Sequence, residues 1–122
     1  MKAYYVTGTT TKEVEIENDI QVFLELIGCR VFDIASRKVG EKYYDIFCDD
    51  EGLFVEHPVV TGGRFNEDGD FEPMLVGNLV FTLTDGEGGT IGITDEDVKN
   101  IKEHIMHYWD REVIRPLVLM EY

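Results

Sequence analysis

Long apolar runs are missing from this 122-residue sequence. No stretch approaches the roughly 18 apolar residues of a membrane-spanning helix, so no span and no membrane partner are expected. The first 17 residues hold no apolar segment of signal-peptide length and reach an acid at Glu13, which points to a cytoplasmic protein. Cysteine is scarce. Cys29 and Cys48 each sit inside an apolar stretch, and in a reducing compartment they read as two packed thiols. A bridge between them requires neighbouring strands. Serine is scarcer still: Ser36 stands alone, without the context of a nucleophile elbow.

Basic residues are nearly absent from the middle of the chain. The net charge is −14, and residues 41–97 carry fifteen acids against only Lys42 and Arg64. The flanks are close to neutral, −1 over residues 1–40 and 0 over residues 98–122. Such a field repels nucleic acid and anionic membranes and favours basic protein partners or cations. With 43 % apolar and 11 % aromatic residues the composition is that of a folded chain, and its length suits one domain over residues 1–122.

The patterning is mixed. Residues 2–6 and the alternating Glu13-Val14-Glu15-Ile16-Glu17 predict a hairpin about a threonine-rich turn. Asn18 with Gln21 predicts a capping box opening a helix over Asp19–Ile27, whose Ile20, Phe23, Leu24 and Ile27 share a face and whose end Gly28 suits. Strands are predicted over 29–34 and 43–48 with a polar connection at 36–41, and the apolar pattern resumes at Leu53-Phe54-Val55. The segment from Gly62 to Asp70 reads as a loop. Leu79–Leu83 reads as a buried strand, with 90–93 as its return partner across a glycine-rich turn. Thr94 then caps a long helix over Asp95–Glu112, with three acids on its first turn, and 117–120 closes as a last strand. The expected fold class is α+β: a largely antiparallel sheet of about five to seven strands with two helices packed on one face.

Three segments together have a family likeness. Asp45-Ile46-Phe47-Cys48-Asp49-Asp50-Glu51-Gly52, Val76-Gly77-Asn78-Leu79-Val80-Phe81 and Ile93-Thr94-Asp95-Glu96-Asp97 carry an acidic turn, a V-G-N strand entry and a helix start. In these the chain resembles domain-of-unknown-function family 3846, small proteins associated with phages, plasmids and gut bacterial genomes. The resemblance implies a shared fold and a mobile-element context, and no activity.

No residue set carries a catalytic signature, and no catalytic residue, metal or cofactor is expected. His104 and His107, with Asp110 three further on, would share one face of a helix, but the spacing is not that of the zinc-protease helix, and ordinary boundary histidines are the expectation. Placing Gly69 at position six of a calcium loop puts Arg64 at position one and Leu75 at position twelve, which fails at both ends. The thiolate of Cys48 is disfavoured by the adjoining Asp49. What remains is an acidic interaction surface, for which Asp49, Asp50, Glu51, Glu67, Asp68 and Asp70 are the candidates. The expected function is a non-catalytic accessory protein of mobile-element type that binds another, basic protein. Two alternatives are a DNA-mimic inhibitor of a host DNA-binding or restriction protein and a small ligand- or cation-binding enzyme. The apolar segment 114–122 suits pairing within the monomer or across a homodimer.

Overall fold

The computed structural model describes all residues, Met1–Tyr122. The first hairpin forms as its alternation dictates: β1 (Lys2–Val6) pairs antiparallel with β2 (Thr11–Glu15). Its turn is held by Thr7 Oγ1, which accepts from the amides of Thr9 and Thr10. α1 (Ile20–Ile27) follows, with Gly28 in the left-handed conformation at its end. The cap is Asp19 rather than Asn18. The Asp19 carboxylate accepts from the Gln21 amide at 2.8 Å, while the Asn18 amide turns away to the Thr90 carbonyl.

β3 (Phe32–Val39) and β4 (Lys42–Asp49) make a full hairpin turning at Gly40 and Glu41. Residues 36–39, expected in a connection, lie within β3, because β4 supplies ladder partners for them as far as Val39–Lys42. A single 3₁₀ turn, Gly52–Phe54, leads to β5 (Val60–Phe65) and β6 (Phe71–Val76). β7 (Leu79–Thr84) and the short β8 (Thr90–Ile91) come next, then α2 (Asp95–Glu103), β9 (Ile105–Asp110) and β10 (Val113–Leu119).

The strands divide between two sheets. One runs β2-β1-β7-β4-β3, with β8 added to the far part of β7; the other runs β6-β5-β10-β9. Every pairing is antiparallel except β5 with β10. The fold is α+β and largely antiparallel, as expected, but the helices do not share a face. Register places Tyr4, Phe81 and Ile46 on one side of the larger sheet and Tyr5, Val80 and Phe47 on the other. α1 buries Phe23 and Ile27 with Ala3, Phe47 and Val80, the Phe23 and Phe47 rings stacking at 4.0 Å. On the opposite side, α2 buries Val98 and Ile101 with Tyr4, Ile46 and Phe81. The smaller sheet adds Leu75 and Val118 to that same core, and Met120 joins them just past the end of β10. Each fully buried side chain of this size contributes about 1.5–3 kcal/mol. The physical reason for the split is that β7, the central strand, buries side chains on both sides, Leu79 and Phe81 on one and Val80 and Thr82 on the other, so each needs its own cover.

α2 stops at Glu103, not Glu112. Beyond it, exposed His107 and Trp109 alternate with partly buried Met106 and Tyr108, and all six residues of β9 find partners on β10. Ladder pairing outweighs the helical spacing of Ile101, Ile105 and Tyr108. Pro116 is accommodated inside β10 because the parallel pairing with β5 begins only at Val118.

Candidate functional site

The six candidate acids fall into two groups, and the structure does not bring them together. Asp49 ends β4, and Asp50 and Glu51 follow in the turn. Asp49 accepts from the Glu51 amide, and Glu51 is forked by Arg30. Asp49, Asp50 and Gly52 border a small cleft with Leu75 and Val76, at the end of β6. Glu67, Asp68 and Asp70 lie in the turn before the other end of β6. Five strand steps separate Phe71 from Val76, so the groups stand roughly 17 Å apart.

The second group sits on a well-made turn, not a long loop. Asn66 is the organiser: its Oδ1 accepts from the amides of both Asp68 and Asp70 at 2.9 Å, and Gly69 adopts φ 82°. The glycines before it belong to β5, and neighbouring side chains pack closely over both. A Cβ on Gly62 would strike Met120 in the core, and a Cβ on Gly63 would strike the Phe71 ring on the opposite face. Glycine here reads as strand because neighbouring side chains fill the space above it.

That opposite face is the most distinctive surface of the molecule. Phe65 and Phe71 meet edge to face at 5.4 Å, and with Val60, Pro73, Met106 and Tyr108 they border a groove of about 370 Å³ floored by Leu117. All four strands of the smaller sheet contribute. Tyr108 closes one part of the wall by donating its hydroxyl to the Val60 carbonyl at 2.8 Å. Glu67, Asp68 and Asp70 lie in the turn between Phe65 and Phe71, and none of the three has a cationic partner. The two bases of the acidic middle are occupied elsewhere: Arg64 with Glu72 and Glu121, Lys42 with Asp97. An apolar channel with uncompensated negative charge at one end results.

A family profile described as Domain of unknown function (DUF3846) matches residues 1–106. The chain belongs to this family. No curated protein and no solved structure matches it. In this DUF3846 chain the matched region holds β1 to α2 and the start of β9; β10, which supplies Leu117 to the groove, lies outside it.

The other chemistry-bearing side chains are spent on structure. Asp97, 2 % exposed, accepts from Lys42 at 2.7 Å, the Tyr44 hydroxyl at 2.9 Å and the Thr94 amide at 2.8 Å. Thr94 returns a bond from the Asp97 amide, which completes a capping box. Burial, the largest influence, acts to raise the Asp97 pKa, but Lys42, the Thr94 amide and Tyr44 together outweigh it and hold the carboxyl below its ordinary range. Tyr44 is pushed up to about 12, chiefly by burial. Asn100 extends the network by donating to Tyr44 and to the Val39 carbonyl.

His104 caps α2, with its Nδ1 2.7 Å from the Asn100 carbonyl, while His107 stands exposed on β9. The helical face that would have joined them with Asp110 is not formed, and Asp110 is bound to Arg115 at 2.6 Å. The cysteines are free. Burial, then Asp33, raises the Cys48 thiol to about 11, and burial and Asp49 raise Cys29. Neither has the low pKa of a reactive thiol.

The groove was beyond sequence reasoning because its lining is spread from Val60 to Leu117. The signal nearest to it is the pair of Phe residues bracketing the acidic turn.

Proposed function

We propose that this chain is a non-catalytic protein-binding module, an accessory protein of a phage or other mobile element, that takes an extended segment of a basic partner into the groove of the smaller sheet. The observation that supports this reading is an almost wholly apolar channel beside Glu67, Asp68 and Asp70, three carboxylates without counter-charges. A segment with apolar side chains for the channel and lysine or arginine at one flank satisfies both parts. The apolar contacts supply affinity, and the carboxylates orient the segment and speed its capture. The DNA-mimic reading draws less support, because the carboxylates of residues 49–51 and 67–70 occupy separate turns, and an apolar channel has no phosphate groove to imitate.

The test is a fluorescence-anisotropy titration with two labelled peptides of the same apolar core, one flanked by lysines and one by glutamates. The lysine peptide is expected to bind at least about tenfold more tightly at low salt, with the difference closing as salt rises. Met106→Glu is expected to abolish binding, and the pair Asp68→Asn and Asp70→Asn to remove the preference between peptides. Equal binding of both peptides at low salt would overturn the role given to the carboxylates, and binding untouched by Met106→Glu would rule the groove out.

A further inference from the structure

Beyond that reading, the edges of the two sheets differ in a way that points to a second partner. Exposed edge strands invite pairing, and proteins block them with charge, proline or cover. β2 carries Lys12, Glu13 and Glu15, β3 carries Asp33, Arg37 and Lys38, and β6 carries Glu72 and Pro73. β9 has none of these devices. It reads Ile-Met-His-Tyr-Trp-Asp, and its one charge, Asp110, is neutralised by Arg115.

Its outer side is free. β9 ends its sheet, and no backbone bond outside the β10 ladder involves residues 105–110. The hairpin turns on two residues, Arg111 and Glu112, so Asp110 and Val113 form a bonded pair, as do the pairs at 108 and 106. The bond from the Leu119 amide to the His104 carbonyl continues this alternation. Ile105, His107 and Trp109 therefore point their N–H and C=O groups outward.

We infer that β9 is a strand-pairing surface for a second copy of this chain, joined antiparallel about a two-fold axis at His107. Charge selects that occupant. Two chains of net charge −14 repel through most of their surface, but residues 98–122 sum to zero, and a neutral edge has nothing to draw a basic partner. Register agrees. With the axis at His107, the three outward-pointing residues of each strand meet those of the other. Trp109, 71 % exposed, then faces the partner's Ile105, and Met106 faces the partner's Tyr108. Both are favourable cross-strand pairs, an aromatic with a β-branched residue and a thioether with a ring. The axis stands perpendicular to the sheet, so both grooves open on the same side of the dimer.

Trp109 is the sole tryptophan and reports on the interface directly. Sedimentation velocity and tryptophan emission are measured together from low-micromolar to roughly 0.5 mM protein. A monomer–dimer transition with a parallel blue shift is expected, together with slowed exchange of the Ile105, His107 and Trp109 amides in the dimer. His107→Lys sets like charges against each other at the axis and is expected to weaken association at least about tenfold, with the far-ultraviolet spectrum unchanged. A chain monomeric throughout overturns the inference. So does a dimer in which Trp109 emission and these three amides are unaltered, a reading that needs no variant.

Discussion

At the scale of single residues, the chain spends its most perturbed groups on holding elements together. Asp97 joins β4 to α2 by accepting from Lys42, Tyr44 and Thr94 at once. The Tyr44 hydroxyl is donor to Asp97 and acceptor from Asn100, so its ionisation would leave two negative groups adjacent in the core. Its pKa is raised from 10.0 to about 12. A group whose folded pKa lies above its unfolded value contributes stability in full below the unfolded value and loses it as pH rises through the folded one. Urea midpoints are therefore expected to start falling near pH 9 as the buried Cys48 thiol begins to titrate, with Tyr44 adding its own decline between about pH 10 and about pH 12. Tyr44→Phe should start less stable and lose this part of the alkaline slope. A slope unchanged in the variant would show that another group governs it.

Among the elements, glycine placement decides the smaller sheet. Gly63→Ala drives a methyl into the Phe71 ring and the Glu72 carbonyl, and is expected to cost about 1–3 kcal/mol in chemical denaturation. Alanine at Gly69 would be strained for a different reason, its φ of 82°. Local signals made some elements legible: Gly28 and the Thr94 cap read through to structure, and the alternation at 13–17 marks a strand that runs two residues earlier, over Thr11–Glu15. Where long-range pairing decides, the sequence misleads. Ile101, Ile105 and Tyr108 have helical spacing, yet β10 takes residues 105–110 as strand. Gly62-Gly63 looks like loop until Met120 and Phe71 are seen lying over it. The groove was illegible for the same reason, since four strands from distant parts of the chain build it. The acidic residues are plain in the sequence, but their division between the two ends of β6 is not.

For the whole molecule, the charge imbalance sets the response to ions. Fifteen acids over residues 41–97 face two bases, and both bases are already paired. Self-repulsion of this size opposes folding, and screening relieves it. Raising sodium chloride from 10 to 300 mM is expected to stabilise the domain by about 1 kcal/mol, roughly 4 °C in calorimetry. A lower melting temperature in salt would mean that surface pairs such as Lys2 with Glu13 outweigh the repulsion. No helix is long and apolar enough to cross a membrane.

The parallel pairing of β5 with β10 also orders events in time. Gly62 meets Val118, so the β5–β6 hairpin leaves the ribosome well before the strand that sits between it and β9. At about 5–20 residues per second, Phe65, Phe71 and Leu75 spend on the order of several seconds without that neighbour. In that interval the nascent chain displays an unfilled strand position, and a chaperone able to hold an apolar hairpin would find its binding site there.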